Sequence, residues 1–171
     1  RLVRGKNITT ALEALSTVPD MHLVIVGDGP LRSILEEQAR LNGVLHRVHF
    51  LGWKKDVRSF FEHATCFLSL SSYEGYGLSI AEAALFDCPI IATNAGLVGY
   101  ELKDTAHVTL VSADKYKVGM ALCEILNNHP AACARARAAH HVIGEHRLLP
   151  GAYAERYIEL LNETRLDTMH Q

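Results

Sequence analysis

Short apolar runs alternate along the chain with segments of helical period. Five of these runs are apolar on both faces, as are the strands of a covered parallel sheet. They lie at 23–27, 48–52, 65–70, 89–93 and 107–111. The segments between them have the apolar spacing of helices, which are predicted at 7–16, 31–42, 56–63, 78–86 and 114–127. This alternation predicts an α/β fold with a doubly wound, mostly parallel, Rossmann-like sheet and helices on both faces.

The pattern changes at both ends of the chain. After 129–130 it becomes purely helical, with predicted helices at 131–145 and 152–163. At the start, 1–7 has the pattern of a strand end followed by a loop, so we expect the strand itself upstream of residue 1. The first strand of a doubly wound sheet is usually central, and we therefore expect the sheet to lack a middle strand. No interdomain linker is visible, which predicts one domain over 1–171.

Composition narrows the class of protein without identifying it. The 171 residues are 49% hydrophobic and 21% charged, which is ordinary for a globular domain with a full core. A net charge of −2 without a basic stripe argues against nucleic-acid binding. The four cysteines form no C-x-x-C pair and the histidines show no metal-ligand spacing, so we expect neither a disulfide framework nor a bound metal.

The sequence favours a cytoplasmic location. No apolar stretch approaches the roughly 18 residues that a membrane span requires, and no signal peptide opens the chain. The cysteine pattern is typical of a reducing compartment. Peripheral contact with the inner face of a membrane remains compatible with these features.

The stretch 71–83 carries the most specific chemistry. It joins an apolar strand to a helix, with Gly75 and Gly77 at the turn and Ser79 in the first helical turn. Glu74 and Glu82 lie on either side of the junction. Glycines in front of a helix leave backbone N–H donors open to an anion, and a carboxylate beside them can hold sugar hydroxyls. The stretch therefore predicts a pocket for a ligand that is part phosphate and part sugar.

These residues also have ordinary structural interpretations. The helix around Glu82 is so apolar that we expect it to be buried nearly all round, and a lone buried carboxylate needs hydrogen-bond partners. Ribose hydroxyls would serve, but the positive end of the helix dipole would also stabilise a glutamate there. Gly75 and Gly77 would equally suit a simple turn with positive φ. The residues alone leave these alternatives open.

Two further candidates are weaker on sequence alone. Arg1 and Lys6 lie in a loop before a helix and could neutralise a diphosphate, although two solvated surface charges are the favoured interpretation. Trp53 ends a strand and could frame a base, but ordinary packing is slightly favoured. The turn at 27–30 lacks the third glycine of a dinucleotide fingerprint, so it predicts a tight strand-to-helix turn and no NAD site.

The segment 70–93, LSSYEGYGLSIAEAALFDCPIIAT, closely resembles the donor-binding signature of retaining glycosyltransferases of family 4, which have the GT-B fold. Glu74 and Glu82 match the family's pair of glutamates separated by seven residues. Further matches are Gly75, Gly77, Leu78, Ala83 and Pro89. Arg1 and Lys6 fit the family's opening Arg…Lys pair, and the similarity extends over about 1–111.

The resemblance implies a role for each matched residue. Arg1 and Lys6 would hold the diphosphate of the donor. Glu82 would bind the ribose hydroxyls, and Glu74 would contact hydroxyls of the donor sugar. The base would lie near Gly52 and Trp53. The backbone near sugar and phosphate would be that of Gly75, Tyr76, Gly77, Leu78 and Ser79.

The resemblance also implies a reaction. Such enzymes transfer a hexosyl-type sugar from a nucleotide donor, here a UDP- or GDP-sugar, with retention of anomeric configuration, as in polysaccharide biosynthesis. They generally work without a bound metal or cofactor. The chemistry then depends on electrostatic stabilisation of the leaving phosphate.

Two departures from the family pattern limit these expectations. The amino-terminal domain, which would bind a carbohydrate or lipid-linked acceptor, is not in the chain, so we expect weak nucleotide binding and no transfer by the chain alone. The segment 94–101, a candidate for contacts to the transferred sugar, lacks the proline of the family's G-G-x-P-E and has only a shifted glutamate. Two alternatives therefore stay open. One is a nucleotide-binding α/β module without catalysis, and the other is a different GT-B enzyme such as a sugar-nucleotide epimerase, against which the glutamate spacing argues.

Overall fold

The computed structural model describes residues 1–145, which form an α/β fold with parallel strands and helices on both faces. The helices are α1 (Ile8–Leu15), α2 (Arg32–Leu41), α3 (Arg58–His63), α4 (Leu78–Leu85), α5 (Lys115–Asn127) and α6 (His129–Glu145). The strands are β1 (Leu23–Val26), β2 (Val48–Gly52), β3 (Phe67–Ser69), β4 (Ile90–Ala92) and β5 (Thr109–Leu110). The predicted helix at 152–163 lies outside the described residues. Among the helices of 1–145, none has the length and apolar character to cross a membrane.

The described strands form two parallel sheets. β1 pairs with β2, with Leu23 beside Val48, and β4 lies between β3 and β5. No hydrogen-bonded pairing joins β1 to β3 in the part of the chain that the structure describes. A cavity of about 250 Å³ lies between these two strands, lined by 23–26 and 67–71 among other residues.

Strand β4 shows how the sheet is covered on both faces. Ile90 and Ala92 belong to the core formed with α4 and α6, whereas Ile91 belongs to the core formed with α1 and α5. All three are buried, as a continuous apolar run predicts for a parallel strand. The sheet of β1 and β2 has its own core, to which Leu12 and Leu35 contribute.

Helix α4 corrects one expectation of the sequence analysis. Ile80 and Ala84 are buried, but Leu78 is 63% exposed and Glu82 is exposed as well. Residues four apart share a face of a helix, and this face is turned away from the core around β4. The prediction of a helix buried nearly all round is therefore wrong. The alanines of α4 are buried against the core, but nothing in the described residues covers the face that carries Leu78 and Glu82.

Aspartate side chains accept hydrogen bonds from the backbone at the start of two helices. The Asp114 carboxylate accepts from the N–H groups of Tyr116 and Lys117, both at 3.0 Å, and so caps α5. Asp56 accepts from the N–H of Arg58 at 3.0 Å. Val57 occupies the N-cap position of α3 without a side-chain cap, and α3 begins at Arg58, two residues later than the sequence predicts.

The turn at 27–30 holds the first residues of the chain. The Leu2 N–H donates to Asp28 O at 3.0 Å, and Leu2 O accepts from the Leu31 N–H at 3.3 Å. A Cβ on Gly29 would lie 2.6 Å from both the nitrogen and the oxygen of Leu2. The glycine thus permits a close approach of two backbone segments, and the turn positions the segment that carries Arg1.

All four cysteines are free thiols. Burial raises the pKa of the Cys66 thiol to about 12 and that of Cys88 to about 11. Both therefore stay protonated at neutral pH and act as small core residues.

We expect Gly29→Ala to lower the free energy of unfolding by about 1–3 kcal/mol, because the added methyl group overlaps the Leu2 backbone. Gly5→Ala is the matched control, since a Cβ there meets nothing within 4 Å. Its effect should stay within about 0.5 kcal/mol. Urea unfolding followed by circular dichroism measures both variants, and equal stability would contradict the docking of Leu2 on this turn.

Candidate functional site

Three loops meet at the carboxyl edge of the strands. They are 1–7, 70–77 and 93–97. The Ser72 N–H donates to Gly5 O at 2.8 Å and joins the first two loops, and the Leu97 N–H donates to Tyr76 O at 2.8 Å and joins the last two. This is the edge at which open α/β sheets bind ligands, and the loops bring residues together that are distant in sequence.

Lys6 and Glu74 form an ion pair where the first two loops meet. Lys6 Nζ bonds to Glu74 Oε1, and Ser71 Oγ donates to the same oxygen at 2.7 Å. The side chain of Glu74 is only 14% exposed and that of Lys6 33%. The interpretation of Lys6 as a solvated surface charge is therefore wrong.

Opposing effects set the pKa of Glu74. Burial raises it, because the charged carboxylate loses water. The hydrogen bonds from Lys6 and Ser71, with the charge of Lys6, outweigh burial, and the pKa lies below the ordinary value of a glutamate. The ion pair therefore stabilises the folded chain above the unfolded-state pKa, and this contribution is lost as the pH falls through the folded-state pKa.

Arg1 and Ser79 lie on the wall of the same cavity as Lys6 and Glu74. Arg1 is exposed, whereas Lys6 is half-buried. Two cations, a carboxylate and three serine hydroxyls, those of Ser69, Ser71 and Ser79, thus line the polar part of this cavity. Within 1–145, no group of three or more His, Cys, Asp or Glu side chains is arranged to hold a metal ion.

Glu82 lies about one turn into α4 and is not among the residues that line this cavity. Its side chain reaches solvent, yet neighbouring groups displace part of its water, which raises its pKa above the ordinary value. Among the described residues it has no hydrogen-bond or ion-pair partner. The carboxylate is available to accept hydrogen bonds from a ligand.

Helix α4 begins without a side-chain cap. Gly77 occupies the N-cap position with φ 94° and ψ 54°, and in the described part of the chain no side chain bonds to the first N–H groups. The N–H groups of Leu78 and Ser79 therefore remain open at the positive end of the helix dipole. Gly75 is not among the glycines with positive φ, so the simple-turn interpretation applies to Gly77 only.

The loop after β4 is packed tightly against the loop after β3. A Cβ on Gly96, which has φ 61°, would lie 2.3 Å from Tyr76 O. The Tyr76 ring packs against the core beside α4, and its hydroxyl donates to Glu101 Oε2 at 3.4 Å. The Tyr76 backbone thus lies at this edge, while its side chain packs against the core. Glu101, the shifted glutamate of segment 94–101, accepts a hydrogen bond from the Tyr76 hydroxyl.

Gly52 and Trp53 lie at the carboxyl end of β2 and do not line the cavity. Gly52 O accepts from the Gly27 N–H at 2.7 Å. Trp53 is 73% exposed, so the interpretation that it packs in the core is wrong. These two residues lie beside the turn that holds Leu2.

Three polar residues for which the sequence predicts no role hold these loops in place. Asn7 Nδ2 donates to Leu70 O at 2.8 Å, and Thr93 Oγ1 donates to Ser71 O at 2.6 Å. Ser71 in turn donates to the Glu74 carboxylate. Their position beside apolar runs was the only available signal, and polar residues are common there in ordinary turns.

Comparison with known proteins identifies the sequence pattern. Residues 1–139 match the family described as glycosyl transferases group 1. Two curated relatives are each 28% identical to the chain over 163 residues. They are the 2-deoxystreptamine N-acetyl-D-glucosaminyltransferase of Niallia circulans and the lipopolysaccharide core biosynthesis glycosyltransferase LpsE of Rhizobium meliloti (strain 1021).

The matched region is less than half of each relative. The matches cover 90% and 94% of this chain but 40% and 47% of the two relatives, so the chain spans less than half the length of either. The crystal structure of Anabaena Alr3699/HepE in complex with UDP superposes with a TM-score of 0.83 at 22% identity, over 95% of this chain and 47% of that one. At this identity the likeness shows a shared fold.

Lys6→Met removes the ammonium charge while keeping most of the side-chain bulk. We expect the pKa of Glu74 to rise in this variant, because burial remains while the cation is lost. A carboxyl ¹³C NMR titration measures the pKa. Lys55→Met, at an exposed lysine, is the control and should leave it unchanged. The same Glu74 pKa in Lys6→Met and wild type would show that the ion pair does not form in solution.

Proposed function

Because this chain belongs to the glycosyl transferases group 1 family, we propose that it is the donor-binding half of a retaining glycosyltransferase. The whole protein would transfer a sugar from a UDP- or GDP-sugar to a carbohydrate or lipid-linked acceptor held by another domain. One observation carries the proposal: the Lys6–Glu74 pair lies beside the uncapped start of α4, and Glu82 further along that helix is unpaired among the described residues.

The diphosphate of the donor would bind to Arg1, Lys6 and the open N–H groups of α4. Lys6 can serve both Glu74 and a phosphate, because an ammonium group has three donors and Glu74 Oε1 takes one of them. The helix N-terminus adds oriented N–H groups that favour an anion. The partial burial of Lys6 strengthens its attraction to a phosphate relative to a fully solvated lysine.

The two glutamates would bind the sugar parts of the donor. Glu74 Oε1 already accepts two hydrogen bonds, whereas Oε2 has no hydrogen-bond partner among the described residues. Oε2 is therefore able to accept from a hydroxyl of the transferred sugar. Glu82 would accept from the vicinal ribose hydroxyls, which would compensate its partial loss of water.

The chemistry would consist of stabilising the leaving group. When the bond between the sugar and the diphosphate breaks, negative charge grows on the phosphate oxygen that departs. Arg1, Lys6 and the start of α4 would compensate that charge. These fixed positive groups would do what a divalent cation does in other enzymes, so we propose a reaction that is independent of metal.

The comparisons support the identity of the donor and the acceptor. HepE is described in complex with UDP, which supports a uridine nucleotide over a guanosine one. LpsE is named for lipopolysaccharide core biosynthesis, which supports an acceptor that carries carbohydrate.

Titration of UDP and GDP by calorimetry tests the donor site. We expect at least one nucleotide to bind and Glu82→Ala to weaken that binding about tenfold or more, because hydrogen bonds to a charged group contribute about 1.5–3 kcal/mol. EDTA should not change the affinity. Glu37→Ala is the control, since Glu37 pairs with Arg40 on the surface of α2, and it should bind like wild type.

Two results of this titration would contradict the proposal. If the wild-type protein binds neither nucleotide, the proposal of a donor site in this chain is wrong. Equal affinity of wild type and Glu82→Ala would leave the site but remove the ribose contact assigned to Glu82.

The configuration of the product tests the reaction. Incubated with a sugar nucleotide and an acceptor, the full-length protein should form a glycosidic bond with the anomeric configuration of the donor, as read from the anomeric proton coupling in ¹H NMR. An inverted product would contradict a retaining mechanism. Nucleotide binding without turnover of any sugar nucleotide would favour the non-catalytic interpretation.

A further inference from the structure

We propose that Asn7 is a positioning residue for the donor site. Its side-chain amide fixes the loop that carries Lys6 against the loop that carries Glu74. The part of this inference that concerns the donor rests on the proposed function, but the part that concerns the Lys6–Glu74 geometry does not.

Two hydrogen bonds from one side chain carry the inference. Asn7 Nδ2 donates to Leu70 O at 2.8 Å and to Ser72 Oγ at 2.9 Å. A third bond, from the Ser72 N–H to Gly5 O at 2.8 Å, joins the same two loops. Gly5 and Asn7 are the two chain neighbours of Lys6, so the backbone of Lys6 is held on both sides.

The backbone of Asn7 has a conformation that favours asparagine. Asn7 has φ 50° and ψ 38°, in the left-handed region that asparagine tolerates better than most residues. An asparagine directly before a helix ordinarily accepts a hydrogen bond from the first helical turn. The Asn7 side chain makes no such bond to α1, and its amide group donates across the loops instead.

The acceptors explain why the amide is needed. Leu70 O lies just beyond β3 on a buried residue, 3% exposed, and an unpaired carbonyl there would lose its hydrogen bond to water without replacement. The next carbonyl, Ser71 O, accepts from Thr93 Oγ1 at 2.6 Å. Side chains from two other loops thus hold the backbone that leads to Glu74.

This fixation matters because a lysine side chain is long and flexible. Holding its ammonium group at one place costs side-chain entropy, and the cost is smaller when the backbone on both sides is already ordered. With Asn7 in place, Lys6 is held where it meets Glu74 and lines the cavity.

Asn7→Gly is the informative substitution, because glycine keeps the left-handed backbone without strain and removes only the amide. We expect the pKa of Glu74 in the unliganded protein to rise toward its ordinary value, since Lys6 is held less firmly. The affinity for UDP or GDP should fall about tenfold. Ser72→Ala removes one of the two acceptors and should give a smaller change in the same direction.

The control is Thr105→Gly, which changes a residue with the same left-handed backbone, φ 61°, in a loop between β4 and β5. It should leave both the pKa of Glu74 and the nucleotide affinity unchanged. Carboxyl ¹³C NMR gives the pKa, calorimetry gives the affinity, and thermal unfolding confirms that each variant is folded.

The outcomes separate this inference from the proposed function. A Glu74 pKa that is the same in Asn7→Gly and wild type would overturn the positioning role, even if the melting temperature falls. A raised pKa with unchanged nucleotide affinity would overturn the link to the donor. If wild type binds neither nucleotide, the proposed function fails, while the pKa measurement still decides the role of Asn7.

Discussion

A carboxylate that is mostly removed from water stays ionised only when positive charge or hydrogen-bond donors compensate the lost hydration. Glu74 meets this condition through Lys6, 68 positions earlier in the chain. The loop before α1 therefore has to lie against the loop after β3. Two glycines allow the neighbouring loops to pack closely around this ion pair. Gly29 lets the Leu2 backbone approach the turn at 27–30, and Gly96 lets the loop after β4 approach Tyr76. Glycines are placed where loops must pass each other closely.

Glu74 and Glu82 lie in opposite environments, although only seven residues lie between them in the sequence. Glu74 is paired and its pKa is lowered, whereas Glu82 is unpaired among the described residues and its pKa is raised. Divergent pKa values of neighbouring acids are typical of sites in which each has its own task. Glu74 holds Lys6 in place through the ion pair. Glu82 has both carboxylate oxygens available to accept hydrogen bonds from a ligand.

Patterns of apolar residues predicted the strands and most helices of the described region, because a parallel sheet covered on both faces requires continuous apolar runs. The strand-to-helix junction was also predictable, since Gly77 and the glutamates leave a strong local signal. The exposure of Trp53 and Glu82 was not, because it depends on which neighbours cover them in space. The role of Asn7 was hidden for a related reason: an asparagine before a helix predicts a cap, and only the tertiary structure offers it better acceptors.

The separation of the described strands into two sheets has a consequence for how the chain loses its structure. β1 and β2 pack mainly around one core and β3 and β4 around two others, while α1 contributes Leu12 to the first and Ala14 to one of the latter. Such a division favours partial opening, in which one group of strands exchanges its amide hydrogens while the other stays protected. Met21 and Leu23 also pack against both of these cores, so α1 and the start of β1 together link the two groups of strands.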